Sequence, residues 1–301
     1  MGAGAVWGLV FVAPEFVSDF SPLQLTIGRY LLYGLIAAAL IIPRWHFLAS
    51  QLPQKQWRKL IWLAFTGNTL YYVLLSTAVH AGGVAMTSLV IGFLPVVVTL
   101  VGSRDQGALP LRRLAPSLLL CAAGAVCIGW QALSAPNEET VSTQLLGLVC
   151  AIGALASWTA YTIGNARSLA RLDHISSHDW SLLIGIVTGA QSVLLIPFAI
   201  AFDTAHHFAS DWLRLAAVST GVAILASIVG NALWNRMSRL LPLTLIGQMI
   251  LFETIFALMY GLLWEQRLPT NLEISALSFV ILSVVSCVKA HRTKLVVEPV
   301  A

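Results

Sequence analysis

Apolar residues in this chain come in long, nearly unbroken runs. Ten can be drawn, at about 3–20, 23–43, 60–79, 84–103, 114–133, 144–164, 180–201, 213–233, 243–263 and 273–290. Each approaches the roughly 20 residues that a helix needs to cross the hydrocarbon core of a bilayer. Short polar segments separate them, with no soluble domain, low-complexity tract or long linker between. The pattern predicts an all-α integral membrane protein of ten transmembrane helices. Runs this long exclude a closed β-barrel, whose strands alternate inward and outward over about 10 residues.

One stretch, Leu241 to Pro269, is echoed earlier in the chain by Gly82 to Pro110. A shift of 159 lays Leu94 on Glu253, Gln106 on Glu265, Leu109 on Leu268 and Pro110 on Pro269. The match is weak residue by residue, but the layout is shared, as in membrane carriers built from duplicated halves. It predicts an N-terminal repeat over 1–140 and a C-terminal repeat over 141–301, five helices each, within one membrane domain. Five is odd, so the halves are expected to be inverted in the membrane, with a site near the midplane between them.

Charge supports that layout. Of the 17 Lys and Arg residues, all but Arg29, Arg214 and Arg267 fall on one side of a ten-span chain. Arg29 lies within the second span. Glu15, Asp19, Glu138, Glu139, Asp203, Asp211, Glu265 and Glu273 fall on the opposite side. Basic loops stay cytoplasmic, so both termini are expected in the cytoplasm. This asymmetry, rather than affinity for nucleic acid, explains the net charge of +4 and the pI near 9.0. The chain is 58% hydrophobic and 10% charged, against about 25% charged in soluble domains. Cys121, Cys127, Cys150 and Cys287 lie in apolar segments without a Cys-x-x-Cys pair, and are expected to be free thiols. The first residues are apolar with no basic region before them, which argues against a cleavable signal peptide; they are read as the first span.

Particular residues add a resemblance over nearly the whole chain. They are Trp7-Gly8, Arg29, Leu94-Pro95-Val96, the run Ala156 to Tyr161, the run Gly230 to Asn235, Phe252-Glu253, and the run Trp264 to Leu268. In this order and spacing they resemble the drug/metabolite transporter superfamily in its EamA-like branch. The aromatic-rich spans are most similar to YddG-type amino acid exporters. The chain departs from that family's pattern at Thr254, where proline usually follows the acid, and at Leu94, where a matching acid usually stands. The resemblance implies ten helices, alternating access, and export of amino acids or related metabolites across the inner membrane. It implies a small-molecule substrate and no cofactor.

Helical spacing selects candidate side chains. Asn68, Tyr72 and Leu75 share a stripe, and the shift of 159 maps them onto Ser227, Asn231 and Trp234, which share another. Polar groups inside spans seek partners within the bundle, so these stripes line a cavity or join helices. Trp7 and Phe11 in the first span are answered by Trp158 and Tyr161 in the sixth; aromatic walls hold apolar side chains and attract ammonium groups. Gln248 offers donors and acceptors suited to a carboxylate or amine, near Thr244 and Phe252, with Met86 a partner from the fourth span. Glu253 and Arg29 are the charges well inside spans. Each needs a partner or water there, as a coupling group, a substrate anchor or a structural pair. Pro14, Pro95 and Pro116 are candidate kinks or helix ends.

Other chemistries find little support. His174, His178 and the pair His206-His207 lie in loops without a full set of metal ligands, so no metal is expected. The spans lack the cluster of acids, histidines or nucleophiles that a membrane enzyme needs. The alternatives are a carrier of organic cations or other metabolites on the same fold, then a membrane enzyme or a structural subunit.

Overall fold

The computed structural model describes residues 1–105, 108–133, 141–202 and 207–297, and within them the side chains of Phe11, residues 82–86, 88–89 and a few others lie outside the description. The chain is helical almost throughout, with no strand among the described residues. We number its main helical stretches α1 (Gly2–Val17), α2 (Pro22–Gln51), α3 (Gln54–Val79), α4 (Val90–Gly102), α5 (Leu111–Leu133), α6 (Val141–Leu169), α7 (Ser177–Ala201), α8 (Ala209–Leu240), α9 (Leu243–Trp264) and α10 (Asn271–Arg292). Among the described residues, seven are long and apolar enough to cross a membrane, namely α2, α3 and α6 through α10. The stretches α1 and α4 are apolar but shorter. Of the expected kinks, Pro95 sits in the first turn of the helix that starts at Leu94, Pro116 is carried inside α5, and Pro14 lies in a 3-10 turn.

Local chemistry sets the helix ends. Ser21 opens α2 with a reciprocal cap: its hydroxyl accepts from the Gln24 amide at 3.2 Å, and the Gln24 side chain accepts from the Ser21 amide at 2.7 Å. Ser176 caps α7 by accepting from the Asp179 amide at 2.9 Å. At the far end of α9, Gln266 adopts a left-handed conformation with φ 52° and stops the helix.

The helical backbone runs on from Leu70 to Gly92, yet the chain reverses direction there. Ala78 packs with Cys150 and Ala151, early in α6, whereas Asp105 pairs with Arg167 at the far end of α6 at 2.6 Å. Those two places on α6 are about 25 Å apart at 1.5 Å per residue. The segment 54–105 therefore runs out and back beside one helix.

Several pairs of helices pack antiparallel. Between α2 and α7, Tyr33 donates to the Ser181 carbonyl at 2.7 Å and Arg44 pairs with Asp179 at 2.9 Å. Between α4 and α9, Gly102 meets Leu243 and Thr244 while Gly247 meets Thr99 and Pro95. Between α5 and α10, the Ser283 hydroxyl donates to the Ser117 carbonyl at 2.6 Å, and Gly124 faces Val280. Glycines permit the closest approach: a Cβ built on Gly34 would stand 2.7 Å from the Gly189 Cα. Outward-facing Leu35, Leu119, Val149 and Ile200 are exposed, an apolar belt suited to lipid.

Two irregularities stand at matched places. A π-helical turn occupies Phe65–Thr69 in α3, and another occupies Ala223–Gly230 in α8. The shift of 159 sends the first into the second. A wide turn leaves backbone carbonyls without their usual helical donors, and in both cases a side chain from another helix supplies one. Trp7 Nε1 donates to the Ala226 carbonyl at 2.9 Å, and the Ser157 hydroxyl donates to the Thr66 carbonyl at 2.8 Å.

Candidate functional site

The two π-turns bring the interior together. Gly230 and Gly67 lie in or beside them, and a Cβ at either would run into the Trp7 indole or the Tyr161 ring respectively. Thus α1 lays Trp7 on the wide turn of α8, and α6 lays Tyr161 on the wide turn of α3.

From these contacts grows an aromatic cluster. Trp7 and Trp234 have ring centroids 5.1 Å apart, Trp158 and Trp234 5.6 Å, and Trp158 and Tyr161 6.0 Å. Four of the aromatic residues expected from the sequence thus meet in one place. Tyr71 joins them, 6.3 Å from Trp158. Tyr72, expected on a stripe with Asn68 and Leu75, donates its hydroxyl to the Pro22 carbonyl at 2.9 Å. Trp234 is fully buried, and Trp7 and Trp158 nearly so.

Beside the cluster the polar stripes make bonds between helices. Asn68 donates to Thr188 on α7 at 3.2 Å, and Thr69 donates to Gln191 at 2.7 Å. Asn231 donates to the Tyr33 hydroxyl on α2 at 3.3 Å. The Arg29 guanidinium donates through Nε to Ser227 at 3.0 Å, and its Cζ lies 5.3 Å from the Tyr30 ring. Asn68, Tyr71, Tyr72, Asn231 and Arg29 are all half-buried.

Glu253 lies where α9 crosses α1, its backbone and that of Phe252 filling the space against Gly4. It is half-buried. Among the described residues its carboxylate makes no hydrogen bond or ion pair, but its charge and that of Arg29 act on each other and on Tyr71. Phe252 is half-buried and packs with Leu251 and Val280, away from the tryptophans.

Gln248 stands apart. It is fully buried, and its side-chain oxygen accepts from Ser283 on α10 at 2.8 Å. Its amide nitrogen finds no partner among the described residues. The structure places it at the junction of α5, α9 and α10 rather than with the aromatic cluster. The side chains of Phe11 and Met86 lie outside the described residues.

Tyr30, Tyr33, Tyr71 and Thr188 were not singled out from the sequence. One signal was available for Thr188: the shift of 159 carries Arg29 onto it.

Two features elsewhere are set aside. An apolar groove of about 490 Å³ between α1, α8 and α9, lined by Val6, Val10, Phe16, Val222, Tyr260 and Trp264, holds no charged side chain. Asp19, His207 and Asp211 converge like metal ligands, with ligand atoms within 4.8 Å of one another. The Arg214 guanidinium already lies against both carboxylates, at 2.6 Å from Asp19 and 3.5 Å from Asp211, and stands in the place of a cation.

Residues 1–130 match the model of the EamA-like transporter family. The inner membrane protein YtfF of Escherichia coli (strain K12) is 30% identical over 315 aligned residues, covering 99% of this chain and 96% of its own. The crystal structure of another protein superposes with a TM-score of 0.73, covering 96% of each chain at 18% identity, so that fold is shared.

Proposed function

The chain belongs to the EamA-like transporter family, and we propose that it is an inner-membrane secondary carrier exporting neutral or aromatic amino acids, or related metabolites, by alternating access. The family is one of transporters, so binding and movement rather than bond chemistry are the work of the site. In this reading ten spans form two inverted five-helix halves, over 1–140 and 141–301, with both termini cytoplasmic. The substrate site lies among Trp7, Tyr71, Trp158, Tyr161, Asn231 and Trp234, with Arg29 and Glu253 as its charges.

One observation carries the reading. The halves are related by matched wide turns and antiparallel helix pairs, but the two ends of the bundle are not alike. At the end holding Arg104 and Arg239, α4 and α9 close on each other, with Gly102 against Leu243 and Gly247 against Thr99. Toward its other end α9 packs on α1 instead, with Gly8 against Phe256 and Ala257. A molecule of two related halves, closed at one end, has a second state within reach in which the ends exchange roles. In this reading the closed end, which carries the basic loops, is the cytoplasmic one.

The aromatic cluster supports a substrate with an apolar or aromatic side chain. A second reading, a carrier of organic cations, is favoured by the lone carboxylate of Glu253 near aromatic rings. The test is uptake of labelled neutral and aromatic amino acids into proteoliposomes, with empty liposomes as control. Saturable uptake that Trp158→Ala and Asn231→Ala abolish, in protein that stays monodisperse, is expected. No uptake of any amino acid by well-folded protein overturns the amino-acid reading.

A further inference from the structure

We infer that the site takes a zwitterion, with Arg29 receiving a carboxylate and Glu253 an ammonium group, and that these two charges add this selectivity to a scaffold that does not need them for packing. The inference rests on the carrier reading above.

The molecule contains its own control. Arg29 on α2 bonds to Ser227 in the π-turn of α8. Shifting by 159 sends position 29 to 188 and position 227 back to 68. Thr188 on α7 and Asn68 in the π-turn of α3 do bond, at 3.2 Å. The same joint between a straight helix and a wide turn is therefore built twice, once with a guanidinium and once with neutral side chains. The joint does not require a charge. Glu253 has the same kind of image. Its matched position is Leu94, an apolar side chain buried in the main core. The scaffold accepts leucine there, so packing does not require the carboxylate.

Charges inside a membrane bundle are costly and persist where they have a partner or a task. Arg29 spends one donor, Nε, on Ser227, which fixes the orientation of the group. Its other guanidinium nitrogens make no hydrogen bond or ion pair among the described residues, and neither does the Glu253 carboxylate. Both residues are half-buried. Arg29 holds Ser227, next to the Ala226 carbonyl that Trp7 caps, and Glu253 meets α1 at Gly4, about one turn before Trp7. A guanidinium held by one edge presents its remaining N–H groups as a fork matched to a carboxylate. A carboxylate without a cation suits an ammonium. A zwitterion meets both demands without adding net charge to the interior, and its side chain then falls toward the aromatic cluster. A simple anion or cation leaves one of the two charges unanswered.

The test is ligand quenching of tryptophan fluorescence in the full, detergent-solubilised chain, using Trp7, Trp158 and Trp234 as reporters. The probes are L-phenylalanine, 2-phenylethylamine with only the ammonium, and 3-phenylpropionate with only the carboxylate. The variants are Arg29→Thr and Glu253→Leu, each copying the residue at the matched position. Arg29→Thr should weaken L-phenylalanine and 3-phenylpropionate by about thirtyfold or more, and leave 2-phenylethylamine within about twofold. Glu253→Leu should do the reverse, sparing 3-phenylpropionate. A variant that weakens all three probes alike, or none, overturns the inference. So does loss of monodispersity in either variant, because the argument requires that the scaffold accept these residues. Amino-acid uptake by the parent with unselective variants sinks this inference alone. A parent that binds no probe and takes up no amino acid sinks the carrier reading instead. Binding of L-phenylalanine that depends on Glu253 and ignores Arg29, with no binding of 3-phenylpropionate, points to organic cations and overturns the carboxylate half.

Discussion

Replacing Gly189 by alanine should pry α2 away from α7. A Cβ at Gly189 would stand 2.7 Å from the Gly34 Cα and 3.2 Å from the Tyr30 carbonyl oxygen. Neither atom belongs to a flexible side chain, so neither can turn aside. Carbon atoms rest at about 3.5–4.0 Å, so the helices must separate by roughly 1 Å over the contact. That movement loosens the Tyr33 bond to the Ser181 carbonyl and the Arg44–Asp179 pair farther along. Overpacking of this kind costs about 1–3 kcal/mol. Alanine also regains up to about 1 kcal/mol of helix propensity over glycine, which blurs a simple comparison with the parent. Gly261 removes the ambiguity. It too is helical, but a Cβ there meets nothing within 4 Å, so Gly261→Ala gains the propensity without the clash. The two variants should therefore differ by the overpacking alone, about 1–3 kcal/mol, or several degrees in midpoint at about 2 °C per kcal/mol for a chain of this size. Thermal unfolding in one detergent measures it. If Gly189→Ala unfolds at or above the temperature of Gly261→Ala, the close crossing of α2 and α7 is wrong.

Three further outcomes follow from the same contacts. Trp7→Phe and Ser157→Ala each strip a π-turn carbonyl of its donor and should each cost about 1–3 kcal/mol in thermal unfolding; no change in either would mean that those carbonyls find another partner. Gly102→Cys with Leu243→Cys, in a background free of the four native cysteines, should form a disulfide, because the two Cβ positions lie 3.0 Å apart and need only a small outward adjustment. Oxidation should then stop transport and a reductant restore it, whereas full transport by the cross-linked protein refutes alternating access through this end. Arg44→Ala should destabilise by about 1 kcal/mol, since Arg44 is largely exposed while Asp179 is buried, and adding Asp179→Asn should recover part of the loss by removing the stranded charge.

The sequence gives no handle on which side of a span faces inward when every side is apolar. Gln248 shows this. Its spacing with Thr244 and Phe252 defines a face, but periodicity does not say whether that face meets the tryptophans or α10. Packing gave it Ser283 as partner. Tyr71 and Tyr72 show the same limit, since both are aromatic and adjacent, and periodicity alone does not say which ring the neighbouring helices meet. The stripes of Asn68 and Asn231 were legible as polar positions, but their use in bonds to Thr188 and Tyr33 was not.

By itself the sequence determined that the chain is a bundle of membrane helices. The hydrocarbon core demands long apolar segments whose backbone bonds are satisfied internally, and that demand is written in composition and run length. It also carried the internal shift of 159, under which the two wide turns of the structure fall at matched places. Tertiary structure decided the rest: which aromatic rings meet, which helices close at the basic end, and that Arg29 holds Ser227 while Glu253 meets α1. Those outcomes depend on how helices rotate and cross, which side-chain volumes and wide turns settle only once all the partners are in contact.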